Sequence, residues 1–103
     1  MKGMIDVEYR VIPTNKKITL HKRGYYTKGD TSEDIGIISS FLVFNFLGYE
    51  KKLNIKIEDV LGDYYGNNLT AWVKEFQKQN GIETTGNIGK VTLTKMREYG
   101  LEA

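Results

Sequence analysis

The sequence predicts an α+β chain, mainly α: a three-helix bundle with an N-terminal β-hairpin packed on helix one. Three observations carry that prediction. Residues 5–12, "IDVEYRVI", alternate apolar and polar, the period-2 mark of a half-buried strand. Leu69, Trp72, Val73 and Phe76 recur at i, i+3, i+4 and i+7, one face of an amphipathic helix. Each helical stretch ends in a glycine followed by a hydrophobe, "LGY", "NGI" and "YGL", the sequence form of a Schellman stop.

The elements follow in order. Ile5, Val7, Tyr9 and Val11 share one face of a strand over 4–12. "PTNK" turns the chain, with Pro13 fixing φ and Asn15 tolerating a left-handed conformation. Ile18 and Leu20 continue the alternation in a second strand over 17–23. "RGYYTKGD" leads out of this hairpin to helix one, predicted over 31–47 with Thr31 as N-cap and Glu33 and Asp34 in its first turn. Its apolar residues, from Ile35 to Leu47, cover nearly the whole circumference, so it must be covered on more than one side. One face is assigned to the helical core and another to the hairpin. The chain is thus divided into a hairpin extension, 1–27, and a helical domain, 28–103, fused as one unit.

"EKKLNIKIEDVLGDYYG" reads as a loop with a short helical turn at "IEDVL". Helix two is predicted over 68–80, capped by Asn67 or Asn68, and helix three over 90–99 with Val91, Leu93 and Met96 inward. Trp72 and Phe76 anchor the core. Gly81 is a helix stop, which leaves Gly86 and Gly89 to be explained. A short repeat bears on them: "YGNNLTAWV" and "IGKVTLTKM" each run from a large apolar residue through a glycine into a helix. Gly66 lies seven residues before Val73, and Gly89 seven before Met96.

Composition removes whole classes of chemistry. The chain has no cysteine, so disulfides and thiolate metal sites are out, and its one histidine, His21, makes a multi-histidine metal site impossible. No cofactor and no metal are expected. A net charge of +2 is too small to argue for nucleic acid. "FLVFNFL", the longest apolar run, is far too short to span a bilayer, and the start "MKGMIDVEYR" carries no signal peptide. With 13 acidic residues on a small surface, some carboxylate pair is inevitable and by itself marks no active site. "GNIGKVT" resembles the tail of a phosphate-binding loop but lacks its first glycine and its preceding strand. A helix-turn-helix reading remains, since a glycine-containing link joins helices two and three, although such turns take about 3–4 residues and this link runs from Gly81 to Gly89.

Two polar or aromatic positions have competing roles. Gln77 is either a ligand contact or, as favoured here, a half-buried group that holds the glycine loop by hydrogen bonds to its backbone. Of Tyr64 and Tyr65, adjacent in sequence, one must face outward if the other packs inward.

"YYGNNLTAWVKEFQKQNGIETTGNIGKVTLTKM" resembles the three-helix peptidoglycan-binding domain family found on bacterial and phage wall hydrolases. Tyr65, Gly66, Val73, Phe76, Gln77, Gly81, Ile82, Gly86, Ile88, Gly89 and Thr92 match its pattern in register. The chain departs from it in reversing Asp-Gly at positions 62–63, in Leu69 and Thr85, and in Trp72 where the family carries a small residue. The N-terminal hairpin lies outside the pattern. The resemblance implies a non-catalytic module that tethers a lytic enzyme, such as a phage endolysin or bacterial autolysin, to the wall. The implied partners are bacterial peptidoglycan and a catalytic domain in cis, with no nucleic acid and no membrane; self-association is left open. A second reading, a protein-docking module like the pro-segments of metalloproteases, stays beside it. The expected binding surface is the two glycine-to-helix junctions: Tyr64, Tyr65, Asn67 and Asn68 at the first, Asn87 and Lys90 at the second, with Tyr64 the better platform for a sugar face. Trp72, Phe76, Gln77, Gly81, Gly86 and Gly89 are assigned structural roles.

Overall fold

The computed structural model describes residues 18–101. Over that span the chain forms β1 (Tyr25–Tyr26), α1 (Glu33–Asn45), α2 (Gly48–Leu53), a 3-10 turn (Ile57–Asp59), α3 (Asn67–Gln79), β2 (Ile88–Gly89) and α4 (Lys90–Glu98). The protein is mainly helical with a small antiparallel sheet, as the sequence predicts, but it has four α-helices among the described residues rather than three.

The N-cap of α1 falls one residue later than predicted, and the helix runs from Glu33 to Asn45 rather than over 31–47. Ser32, extended at φ −169°, is the N-cap, and its hydroxyl accepts from the Asp34 amide at 3.1 Å. Thr31 is instead bridged to Tyr64. Glu33 and Asp34 lie in the first turn, where the helix dipole favours negative charge. Ile35, Ile38, Phe41, Leu42 and Val43 are buried.

The predicted stop at Gly48 is not a stop. Helix α1 ends at Asn45, Phe46 caps it, and Gly48 opens the six-residue α2. That helix ends on Asn54, left-handed at φ +58°, with the Ile55 amide reaching back to the Glu50 carbonyl at 3.1 Å. Asn takes the left-handed position next most readily after glycine, so the same device closes a different helix. The break between α1 and α2 has a packing reason. It turns Phe46 into an aromatic cluster, stacked on Tyr49 at 5.2 Å and edge-on to Phe76 and Tyr99 at 5.4 and 5.3 Å.

Helix α3 packs against α1 and α2 and carries the largest core side chains, with Leu69, Trp72, Val73 and Phe76 all buried. It stops as predicted: Gly81 sits at φ +68°, its amide bonds Lys78, and the Ile82 amide bonds Gln77 at 2.9 Å. Helix α4 closes with the same bonds, Gly100 to Arg97 and Leu101 to Met96. The N-cap of α3 is Gly66, and neither Asn67 nor Asn68 caps it.

The strand prediction needs the larger correction. Residues 18–23 form no strand; Ile18 is buried, and a turn closes with the Gly24 amide on the His21 carbonyl. The other predicted strand, 4–12, and its Pro13 turn lie outside the described residues. The sheet is made instead by Tyr25 and Tyr26 against Gly89 and Ile88. "RGYYTKGD", predicted only to lead out of the hairpin, therefore becomes the seam of the fold. It continues past a 27/28 division: the Gly29 amide bonds the Tyr65 carbonyl, and the Tyr65 amide bonds the Asp30 carbonyl, each at 2.8 Å.

Candidate functional site

The seam, residues 24–32, runs past two places where a glycine opens a helix. At the first, buried Tyr65 precedes Gly66, the N-cap of α3. At the second, buried Ile88 precedes Gly89, the N-cap of α4. Gly66 has φ −100° and ψ −168°, and Gly89 has φ −104° and ψ −164°. The repeat in the sequence is therefore a repeat of backbone. Neither glycine offers a side-chain acceptor, so neither α3 nor α4 has a side-chain cap at its N-terminus.

Between the junctions lies Gly86, held from two sides. Its amide donates to Gln77 Oε1 at 2.9 Å, and its carbonyl accepts from the Tyr65 hydroxyl. Burial raises the Tyr65 hydroxyl pKa well above the ordinary phenol value. Gln77, itself 1% exposed, also donates to the Asn87 carbonyl at 2.9 Å and to the Thr92 hydroxyl at 3.0 Å. One amide side chain thus ties helix α3, the glycine loop and the first turn of α4 together. Gly86 is required twice over. It sits at φ +82°, and a Cβ there would come within 3.0 Å of Lys74 Cε and of Thr70 Cγ2.

Three adjoining hollows follow this framework. One, about 330 Å³, holds Tyr64, Asn67 and Asn68 against Asp59 and Gly62. The next, about 440 Å³, is shared by Asn67 and Asn87 with Lys28 and Lys74. The third, about 510 Å³, runs from Asn87 past Lys90 to Tyr25 and Glu83. Asn67 belongs to the first two and Asn87 to the last two, so five of the six residues expected at a surface share one continuous line. Tyr64 is 60% exposed. Asn68 spends its amide on the Asp59 carbonyl at 3.3 Å.

Tyr65 is the exception and a correction. It is fully buried with its hydroxyl engaged, so it shapes the site from beneath and offers no face to a ligand. Conversely, Thr27, Lys28, Thr70 and Lys74 line the middle hollow and were not expected there. The local signal is "YYTK", lying between Gly24 and Gly29; the spacing of Thr70 and Lys74, i and i+4 on the face away from Trp72, completes the set.

Other chemistry is structural. Tyr26 donates to Asp34 Oδ2 at 3.2 Å and to the Thr19 carbonyl at 2.9 Å, which docks the start of the described chain on α1. Glu75, buried on α3, pairs with Lys52 at 2.7 Å and with Gln79 at 2.6 Å, and these bonds hold its carboxyl below the usual range. Burial, with Glu75 nearby, pushes Tyr49 up to about 12. Among the described residues no three His, Cys, Asp or Glu side chains group as metal ligands, and no helix is long and apolar enough to cross a membrane.

A small helical fold with hollows strung along two matching glycine–helix junctions defines a ligand-binding module. The model of the peptidoglycan binding domain family matches residues 44–96, just over half of the 103, and the chain belongs to that family. No curated protein and no solved structure gives a match. The match starts at Phe44 and takes in α2, α3 and both junctions, leaving β1 and most of α1 outside. Domains of this family bind peptidoglycan and are non-catalytic by themselves, which places the action of this one at the cell wall.

Proposed function

We propose that this chain anchors a wall-lytic enzyme, of the phage endolysin or bacterial autolysin kind, to peptidoglycan, with the catalytic domain in the same polypeptide. The observation that supports this best is the single line of hollows running through Tyr64, Asn67, Asn68, Asn87 and Lys90. An exposed tyrosine presents a ring to a sugar face, and helix N-terminal amides donate to acidic groups. A module this shallow binds weakly alone, and an attached enzyme or a second module supplies avidity.

Co-sedimentation with purified sacculi tests the reading. The full chain pellets with the sacculi, and Tyr64→Ala weakens that binding several-fold, about 0.5–1.5 kcal/mol for a stacked ring, without loss of folding. A chain that stays in the supernatant at low salt overturns the reading. Zymogram clearing by the chain alone, lost on changing a carboxylate, would overturn its assignment as an anchor.

A further inference from the structure

The three hollows differ in chemistry, and the middle one is unlike its neighbours. Tyr64 stands in the first and Tyr25 in the third, but no described aromatic ring lines the middle hollow. No described acidic residue lines it either, while Lys28 and Lys74 both do, and neither has an ion-pair partner among the described residues.

Most of the polar groups left available there are donors, although Asn67 brings a side-chain oxygen beside its N–H₂. Asn87 Oδ1 is taken by the Thr27 hydroxyl, and its amide N–H₂ has no partner among the described residues. The Thr85 hydroxyl accepts from the Asn87 amide at 3.0 Å and from Gln77 at 3.4 Å, so its O–H remains. The Thr70 hydroxyl is turned away onto the Gly66 carbonyl at 2.8 Å. Lys74 is not a loosely waving charge: its stem lies across Gly86, at the place a side chain there would fill. Gly86 in turn is fixed by Gln77 and Tyr65.

A recess with two cations, free N–H and O–H donors and no described carboxylate is complementary to a group that only accepts. Sugar hydroxyls both give and accept; a carboxylate only accepts. Resting on the peptidoglycan reading, the geometry points to the hollow between Asn67 and Asn87 as the subsite for the carboxylate end of a stem peptide, with Lys28 and Lys74 as its charge contacts. The glycan strand is then read elsewhere, at Tyr64.

The test uses the full chain and two synthetic tetrapeptides, L-Ala-D-isoglutaminyl-L-Lys-D-Ala as free acid and as C-terminal amide. In the acid the terminal carboxylate is the only one. NMR titration of the acid shifts the amides of Asn67, Lys74, Gly86 and Asn87, and the amide form binds at least several-fold more weakly. Lys28→Gln with Lys74→Gln lowers affinity for the acid about five- to tenfold at low salt and less at high salt, as exposed charge contacts are screened. A chitin tetrasaccharide shifts Tyr64 equally in both proteins. Equal affinity for acid and amide overturns the subsite. So does binding of sacculi with no response to the acid, an outcome that leaves wall binding standing. Glycerol phosphate shifting these residues where the acid does not would assign the hollow to a phosphate-bearing wall polymer and overturn it as well. Failure to bind sacculi at all is the separate result that removes the wall reading itself.

Discussion

The two glycine–helix junctions have the same backbone and opposite surroundings. Counting from Gly66 and from Gly89, corresponding positions can be compared one by one. Six residues on, α3 carries Trp72, fully buried, and α4 carries Lys95, half-buried and paired with Glu98. Nine residues on come Glu75, buried against Lys52, and Glu98, whose side chain is 59% exposed. Ten residues on come Phe76 and Tyr99, which pack on each other edge-to-face at 5.8 Å. A shared junction sets how a helix starts; what the helix does afterward depends on whether its outer face meets another element. Helix α3 has α2 lying across it, and that cover turns a solvent position into a core position.

The largest effect should fall where the two helices differ most. Trp72→Ala is expected to cost about 3–5 kcal/mol in urea unfolding, while Lys95→Ala stays within the error of the measurement. Trp72→Phe sharpens this. The indole N–H is buried with no hydrogen-bond partner among the described residues, so losing it carries no penalty and the phenylalanine variant should keep most of the stability. Equal losses at positions 72 and 95 would mean that α2 does not cover α3.

Next come the two side chains that hold Gly86. Gln77→Ala strands the Gly86 amide and the Thr92 hydroxyl together and should cost about 2–3 kcal/mol. Tyr65→Phe removes one bond and should cost about 1 kcal/mol. Amide hydrogen exchange at residues 86–89 should accelerate more in the first variant than in the second. The reverse order would make Tyr65, not Gln77, the main tie between the junctions.

Much of this framework is legible in the sequence because it is local. The apolar period of α3, the stops at Gly81 and Gly100, and the twofold glycine–helix pattern each fit within about ten residues. What escapes depends on contacts between distant segments. "LGY" has the letters of a stop, yet Phe46 gains more by turning into the aromatic cluster than α1 would by closing there, and the stop moves to Asn54. Ile18 and Leu20 alternate like a strand, but Ile18 reaches the core from an irregular segment, its carbonyl held by Arg97 at 3.3 Å. Tyr64 and Tyr65 share a residue type, and only the pairing of Tyr65 with Gly29 and Asp30 decides that it faces inward. Lys28 and Lys74 meet across one hollow because the seam crosses the glycine loop, which no spacing in the sequence reveals.

Acid titration tests the buried carboxylate at the ninth position of α3. Hydrogen bonds from Lys52 and Gln79 lower the Glu75 pKa in the folded protein. Its stabilisation is therefore present above the ordinary glutamate value and is lost as pH falls from there through the lowered one. Lys52 is half exposed, so solvent limits the contribution to about 1 kcal/mol or less. Glu75→Gln should flatten the acid limb of stability against pH. A steeper acid limb after Glu75→Gln would reverse the sign and remove this account of the pair.

The smallest effect is the most discriminating, because it acts on the shared backbone itself. Both N-cap glycines have negative φ in the extended region, so neither needs glycine for its conformation. Serine at either position would give the first-turn amides the acceptor they lack and would restrict the unfolded chain. The two sites differ in room. A Cβ on Gly89 meets Tyr25 Cβ at 3.7 Å, an ordinary contact, whereas a Cβ on Gly66 comes within 3.3 Å of the Tyr64 ring. Gly89→Ser should therefore raise stability by about 0.5–1 kcal/mol. Gly66→Ser has to displace Tyr64, so its gain is cancelled and the exposed ring moves from its place beside Asn68. Thermal unfolding should separate the two serines, and sacculus binding should separate them again, with Gly66→Ser the weaker binder. Two serines of equal stability and equal binding would show that the ring is free to move aside, and that glycine at the first junction has no bearing on where Tyr64 stands.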